Sequence, residues 1–535
     1  MDKQLYELTN PQKSIWLTEQ FYPGTSLGNV CGTLLIYEKV KFDLLKKAIN
    51  LFVKTNDSMR IKILMEESSP KQYINEYVPF DIQEFNASNA EELSMIENKL
   101  VSTSFELINK NLFKFVIIQF PDGHGGFNAN LHHMICDAWS MSLLINQIMD
   151  IYKKLLVDEN IEIPDNSSYV DYINFEKTYK TSGKFTVDEE YWGETFRELP
   201  EFAKIMPYET KSDSLEAARK AFSLDKQICE KINNFCKENK TSPYSFLTSI
   251  YSIYLSRVSN IDDIVIGTPL LNRSNFKDKQ TNGMFVSNLP NKINVECESL
   301  FSEFVKKVSE KQMSIFRHQK YPYDFILKTV RKQHNVSRGL YDVLVSYQNA
   351  RNTSQNSEIK YNTTWLFAGY ITNSLDIHIY DMDNSGILNI YYDFQTSKFS
   401  EPDICAIHNR ILHIINQVLN NPNICLKDIE IVYPEEKQKL LYEFNNTKLE
   451  YCKDKTIVDL FEKAVEKYSN NIAVVFGNKE LTYKELNAKA NALAHYLIGK
   501  GVKKDAPIGI ITNRSLEMIV RYPCYTKSRA EHISH

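Results

Sequence analysis

The sequence predicts a mixed α/β (α+β) fold in two lobes, with the opening stretch of a further domain behind them. Three observations carry this. Period-two apolar runs alternate with runs of period three to four through the first four-fifths of the chain. A polar stretch over residues 160 to 185, with Pro164 and several Ser and Asn, divides that region in two. A second break, at Tyr433-Pro434-Glu435-Glu436 and Asn445-Asn446-Thr447, sets off the last fifth of the chain. The expected organisation is a first lobe over 1–165, a second over 166–430, a linker over 431–450, a partial domain over 451–520, and a tail over 521–535 that fits no pattern. A chain of 535 residues has room for two or three cores.

Composition narrows the function. The chain is 43% hydrophobic and 24% charged, ordinary values for a soluble globular protein. A net charge of −4 gives no reason to expect nucleic-acid binding. Nine cysteines (Cys31, Cys136, Cys229, Cys236, Cys297, Cys405, Cys425, Cys452 and Cys524) are scattered without a CxxC pair. That argues for reduced thiols in a cytoplasmic setting and against a structural zinc. Met1-Asp2-Lys3-Gln4-Leu5 has no apolar signal core, and no run reaches the roughly 18 apolar residues of a membrane span, so no membrane contact is expected.

Taken in order, Leu8 to Trp16 passes from an Asn-Pro turn into a short helix, and Phe21-Tyr22-Pro23-Gly24-Thr25 reads as a loop. Phe42, Leu45, Ile49 and Phe52 share a helix face, and Met59 to Leu64 alternates like a strand with Arg60 near its start. Phe113 to Phe120 and Phe127 to Leu131 are strands joined by Asp122-Gly123-His124-Gly125-Gly126, a hairpin turn. Met141, Leu144, Ile145, Ile148, Ile151, Tyr152 and Leu155 then mark a long amphipathic helix. In the second half, Ile264 to Pro269 is a strand running towards Leu271-Asn272-Arg273. Gly283 to Asn288 is a short block with a permissive glycine, and Leu344 to Asn349 is a strand ending in amides. Thr456 to Tyr468 is a helix capped by Thr456, and Leu481 to Leu486 starts another.

The chemistry concentrates between the hairpin and the long helix, in Leu131-His132-His133-Met134-Ile135-Cys136-Asp137-Ala138-Trp139-Ser140. Histidines at a strand end, on the turn into a helix, protrude from a rigid frame. Four readings compete. A buried His beside a buried Asp–Arg pair is a common structural arrangement. A metal could take His133 and Asp137 from one helix face, but no further ligand cluster stands nearby. The HxxxxD pattern of glycerolipid acyltransferases fits His132 and Asp137, without that family's other blocks. The HHxxxD pattern of acyl-CoA and thioester acyltransferases gives the chemistry to His133 and the loop to Asp137.

Seven blocks in order decide among them. Leu8-Thr9 with Gln12 and Trp16, Asn56 to Arg60, His132 to Ser140, Tyr169 to Tyr172, Gly283 to Asn288, His318-Gln319 with Tyr321-Pro322-Tyr323, and Ser337-Arg338 with Leu340-Tyr341-Asp342 resemble the condensation motifs of nonribosomal peptide synthetases. The resemblance covers about residues 5 to 430. Residues about 451 to 520, through Leu481 to Leu486, resemble the start of an adenylation domain without its phosphate loop or catalytic lysine. The resemblance implies two chloramphenicol-acetyltransferase-like lobes in a V-shaped pseudo-dimer, with a tunnel where they meet. It implies an amide-forming acyltransferase whose α-amine acceptor is held on a carrier protein. His133, with His132 and Asp137, would be the catalytic group. Arg60 and Arg273 are the candidate partners for a buried Asp137. His132 supports the loop by hydrogen bonds, and Ser140 is expected to cap the following helix. Trp139, Ser287, Asn288, Gln348 and Asn349 are candidates for the tunnel wall. Ala138 stands where the family usually has Gly, a small change that a helical backbone tolerates.

The cofactor expectations follow from the same resemblance: no metal and no covalently bound group, with acyl-CoA and phosphopantetheine-linked thioesters as substrates. The downstream partner would be a peptidyl carrier protein, the donor an acyl-CoA or an upstream carrier, and the chain a monomer. Trp16 to Thr25, Tyr254-Leu255-Ser256-Arg257-Val258, Asn272-Arg273 and His318 to Tyr323 are similar to the starter condensation domains of surfactin-type lipopeptide synthetases. The block pattern also begins almost at Met1, leaving no room for a preceding carrier. Both favour a domain that attaches a fatty acyl group to the first amino acid. The alternatives are an elongation domain fed by a separate upstream protein and a non-catalytic carrier-docking platform.

Overall fold

Two large sheets, each backed by helices, and a small three-stranded one (Tyr6–Glu7, Ser69–Ile74, Ile61–Glu66) build the first 434 residues. The structure is a computed structural model that describes residues 3–203, 205, 214–349, 359–381, 385–451, 453–503, 505–527 and 531–534. Cys452 and parts of the tail lie outside the described residues. The first sheet has five strands in the order Tyr361–Leu366, Asn29–Ile36, Gly125–His132, Phe113–Gln119, Gln83–Asn86. The expected hairpin is there: Phe113–Gln119 and Gly125–His132 pair antiparallel, from Phe113 opposite Leu131 to Gln119 opposite Gly125. Helices Phe42–Thr55 and Ala138–Val157 pack on this sheet. They bury Leu45, Ile49, Phe52, Leu144, Ile148 and Leu155, each at 0% exposure. Each such side chain contributes about 1.5–3 kcal/mol by leaving water.

The second sheet has six strands in the order Ser287–Asn294, Asp263–Leu270, Val343–Gln348, Leu375–Tyr380, Asn389–Gln395, Ala217–Ser223. Helices Lys226–Asn239, Pro243–Ser259, Phe301–Arg317 and Glu401–Asn420 form a second apolar core against it. The halves of the sequence are interlocked. Strand Tyr361–Leu366 pairs antiparallel with Asn29–Ile36, from Tyr361 opposite Ile36 to Leu366 opposite Cys31. A strand from the second half thus closes the edge of the first sheet. Tyr169, Tyr172, Ile173 and Phe285 likewise bury themselves in the first core.

Several local expectations shift. The first helix is longer than its apolar pattern suggests, Asn10–Phe21, because Thr9 and Gln12 form a capping box that starts it firmly. The strand expected from Met59 begins at Ile61, since Asp57–Arg60 makes a 3-10 turn first. The polar stretch over 160–185 contains helix Val170–Tyr179 and the start of Gly183–Thr195.

Residues Glu435–His535 form a separate unit. Short helical turns cover Pro434–Gln438 and Lys439–Glu443, where a bare linker is expected. Helix Ile457–Lys467 starts at a capping box of Thr456 and Asp459. The next helix begins at Tyr483, not Leu481, because Lys479–Thr482 pairs with Ile472–Phe476 before Thr482 caps the helix. Helix Leu516–Lys527 runs into the stretch expected to be a tail, with Pro523 inside it. Among the described residues no helix is long and apolar enough to cross a membrane.

Candidate active site

Strand Gly125–His132 ends at the first histidine, and helix Ala138–Val157 begins six residues later. Asp137 is the residue that makes this possible. Its backbone is extended (φ −120°, ψ 176°), and its Oδ1 accepts the Ser140 amide at 2.8 Å, so Asp137 is the helix N-cap. Ser140, expected to cap, lies in the first turn instead. Its hydroxyl accepts from the Gly283 amide (3.0 Å), stands 2.8 Å from the Gly283 carbonyl, and meets Arg273 Nη2 at 2.8 Å.

The partner of Asp137 is Arg273. Nη1 lies 2.6 Å from Asp137 Oδ2, with both side chains at 0–1% exposure. The same oxygen accepts the amides of Phe285 (3.0 Å) and Val286 (3.3 Å). Burial works against a charged Asp137, but Arg273 and these hydrogen bonds outweigh it and hold the carboxyl below its usual range. Arg273 also lies over the Phe285 ring at 4.0 Å. Arg60, the other candidate, donates to the Asn75 carbonyl at 2.8 Å, beside the strands that follow it, and takes no part in this pair.

His133 is held at two points. Its amide donates to the Gly28 carbonyl at 2.8 Å. Its Nδ1 lies 3.0 Å from the Cys136 carbonyl. A carbonyl only accepts, so Nδ1 carries the hydrogen and Nε2 carries the lone pair. Nε2 has no hydrogen-bond partner among the described residues. Burial and the neighbouring His132 lower the pKa of His133, against smaller opposing effects of the Cys136 carbonyl, Asp137 and Glu19. The imidazole is therefore neutral at pH 7, with a free acceptor nitrogen. Cys136 is no rival nucleophile: burial pushes its thiol well above the ordinary value.

His132 is 2% exposed. Its Nδ1 accepts the Met134 amide at 3.1 Å, which leaves Nε2 to face Glu19 Oε1 at 3.3 Å. Phe105 meets the ring edge-on at 5.9 Å. A Cβ on Gly28 would stand 2.2 Å from His132 Nε2 and 2.6 Å from Glu19 Oε1, so any other residue there would push these two side chains out of place. Glu19 and Gly28 are site residues that the motifs do not include. One signal for Glu19 is present in the sequence: Gln12, Trp16 and Glu19 recur at steps of four and three and share the buried face of the first helix.

The first, second, fourth and fifth blocks converge on this turn. Gln12 Nε2 donates to the Met134 carbonyl at 2.9 Å. The Tyr169 hydroxyl donates to the Met284 carbonyl at 2.5 Å, and its amide donates to Asp57 Oδ1 at 2.9 Å. Gly283 has φ +148°, and a Cβ there would meet the Tyr169 ring at 2.2 Å. Asn282 donates to Asn56 Oδ1 at 2.8 Å. Trp139 Nε1 donates to the Lys279 carbonyl at 3.0 Å. Ser287 accepts from Asn272 Nδ2 at 2.9 Å at the start of its strand, opposite Leu270, with Asn288 exposed next to it. Gln348 ends the parallel strand whose Leu344 pairs with Gly267, so Gln348 and Asn349 lie at the same end of the sheet as Asn272 and Arg273. The sixth block stands apart: His318 Nδ1 contacts the buried Asp188 at 2.6 Å and stacks on Tyr191. In the seventh, Asp342 accepts the Ser374 amide at 2.9 Å. Among the described residues no group of three or more His, Cys, Asp or Glu is placed to hold a metal.

Residues 2–441 match the condensation-domain family, and residues 461–522 match the AMP-binding enzyme family. The chain is 33% identical over 526 residues to surfactin synthase subunit 1 of Bacillus subtilis (strain 168), covering 97% of this chain and 15% of that protein. It is 30% identical over 524 residues to a plipastatin synthase of the same organism, covering 97% of this chain and 20% of that protein. The chain thus spans a fifth or less of the length of these relatives. Among solved structures, the starter condensation domain of rhizomide synthetase, in complex with C8-CoA, superposes with a TM-score of 0.70 at 17% identity, over 80% of this chain and 98% of that one. On these matches the chain belongs to the condensation-domain family of nonribosomal peptide synthetases, followed by the beginning of an AMP-binding domain.

Proposed function

We propose that the chain joins an acyl thioester to the α-amine of an aminoacyl thioester carried on a peptidyl carrier protein, with His133 at the reacting centre. The observation that supports this best is the 3.0 Å contact of His133 Nδ1 with the Cys136 carbonyl, which assigns the hydrogen to Nδ1 and the lone pair to Nε2. An α-amine has a pKa near 8, so about one in ten is neutral at pH 7, and reaching that form costs only about 1.4 kcal/mol. Deprotonation before attack is therefore a small part of the barrier. The nitrogen bears a positive charge once it attacks, and a neutral acceptor is what it needs then. His133 Nε2 aligns the amine N–H beforehand and takes the proton afterwards. Until it does so it has no hydrogen to offer an oxyanion, which favours the acceptor role over oxyanion stabilisation. The C–S bond breaks as the tetrahedral intermediate collapses to the amide, and the leaving thiolate takes back the proton held by His133, which returns the imidazole to its neutral form.

In this reading Asp137 and Arg273 hold the turn, His132 sets its shape, and Trp139, Ser287, Asn288, Gln348 and Asn349 contribute to the substrate path. The donor is a fatty acyl-CoA and the domain a lipoinitiating one. The likeness of the chain to surfactin synthase subunit 1 supports this, as does its fold likeness to a starter domain solved with C8-CoA. The second reading is an elongation domain whose donor rides on a carrier. The test supplies aminoacyl-loaded carrier protein with either a fatty acyl-CoA or a carrier-bound acyl thioester and follows amide product by mass. Product from acyl-CoA supports the starter reading, and product only from the carrier-bound donor supports elongation. Loss of most product in His133→Ala, with the fold retained, is expected. A fully active alanine variant overturns the role given to His133.

A further inference from the structure

We propose that Glu19 is a positioning residue for His133, acting through the buried imidazole of His132. This rests on the amide-forming reading above and extends it to a residue outside the histidine motif. Glu19 projects from the buried face of helix Asn10–Phe21 and is 9% exposed. Its Oε1 stands 3.3 Å from His132 Nε2. The opposite nitrogen of that ring accepts the Met134 amide at 3.1 Å, and the His132 carbonyl accepts the Ile135 amide at 3.0 Å. His132 therefore braces the turn from within, and Glu19 holds the bracing ring in the tautomer and rotation that this requires.

The turn has two outputs at His133. The Cys136 carbonyl receives Nδ1–H, and the Gly28 carbonyl receives the amide. Gly28 touches both systems. Its missing Cβ leaves the space that His132 Nε2 and Glu19 Oε1 occupy, while its carbonyl fixes the main chain of His133. A displaced Glu19 would thus move the ring, the Gly28 segment and the Cys136 carbonyl together, and with them the direction of the His133 lone pair. Misplacement of a reacting group by about 1 Å costs on the order of a hundredfold in rate. The groups that bear electrostatically on His133 are His132 in the same turn, Asp137 at the cap (neutralised by Arg273), and Glu19 from the first helix. A negative charge on Glu19 acts in the same sense as that on Asp137, as the smaller of the two, and favours the imidazolium that forms as His133 takes the proton.

The experiment uses the full chain with histidines labelled at Cε1, the His133 resonance being identified by its loss in His133→Ala. In Glu19→Gln, which keeps an acceptor for His132 but removes the charge, the titration midpoint of His133 is expected to move to lower pH. In Glu19→Ala, kcat for amide formation is expected to fall about tenfold to a hundredfold with KM for the donor unchanged, and Glu19→Gln to recover most of that loss. A merely structural Glu19 would lower the melting temperature without moving the His133 midpoint. An unmoved midpoint in Glu19→Gln, or wild-type kcat in Glu19→Ala, overturns the proposal. A wild-type chain that makes no amide from either donor, or an active His133→Ala, counts instead against the amide-forming reading, and the titration still decides the role of Glu19.

Discussion

Arg273 reaches from the end of a second-sheet strand to place Nη1 2.6 Å from Asp137 Oδ2, the carboxylate that caps the helix behind the histidine turn. The active-site turn is therefore clamped by a buried charge that belongs to the other half of the sequence. Removing either partner leaves the other charge buried. Asp137→Ala and Arg273→Ala should each cost about 3–5 kcal/mol. The double variant should cost less than the sum, and denaturant unfolding of all four proteins measures the difference. The folded pKa of Asp137 lies below the ordinary 3.8, so its stabilisation is present above that value and is lost as pH falls through the folded pKa. The stability gap between wild type and Asp137→Asn should accordingly close in acid.

Ser140→Ala tests the other side of the clamp. The hydroxyl serves the Gly283 amide, the Gly283 carbonyl and Arg273 Nη2 in a site at 0% exposure. Its loss leaves buried groups without partners, at about 1–3 kcal/mol. Helix content by circular dichroism should not change, because Asp137 is the cap.

Gly28→Ala should keep the fold and lose activity. The backbone at Gly28 needs no left-handed conformation; what forbids a Cβ is the 2.2 Å approach of His132 Nε2. The expected result is a fall of about tenfold or more in kcat, with a smaller effect of Gly183→Ala on rate, since Gly183 has nothing within 4 Å of a Cβ.

His408 governs stability away from the site. It is 3% exposed, stacks on Phe222 at 3.9 Å, and lies 3.2 Å from the Tyr392 hydroxyl. Burial lowers its pKa from 6.5 to about 4. The unfolded chain binds a proton there that the folded chain refuses, so stability should fall as pH drops from 6.5 to about 4. The loss should reach up to about 3 kcal/mol. His408→Gln should flatten the pH profile of the melting temperature in that window.

The range of each interaction decides how much of the molecule its sequence discloses. The hairpin, the long helix behind the histidines and the Thr456 cap are set by neighbours a few residues apart, and they are legible. The ordered blocks place His133 and Asp137 at one site and reduce the partner of Asp137 to two arginines. The choice of Arg273 over Arg60 needs a contact 136 residues away, which no local pattern encodes. Aspartate and serine favour the cap position about equally, so local preference leaves Asp137 and Ser140 both open. Asp137, three residues earlier, takes that place because Arg273 and the Phe285 and Val286 amides lock its carboxylate there. Glu19 is only faintly legible: it shares helical spacing with Gln12 and Trp16, but an acidic residue on an amphipathic helix is usually solvated, and the approach of His132 across 113 residues reverses that.

Strand Tyr361–Leu366 has a consequence for how the protein could be divided. It occupies the outer edge of Asn29–Ile36, whose other edge holds the histidine strand. A polypeptide cut after the first half would keep the histidines but leave a bare row of amides and carbonyls along the six residues from Cys31 to Ile36. Open edges of that kind template association with any other extended chain. Complementing the two halves as separate polypeptides would therefore succeed only where strand insertion outruns self-association, which makes co-expression, rather than mixing of purified pieces, the way to rebuild the domain.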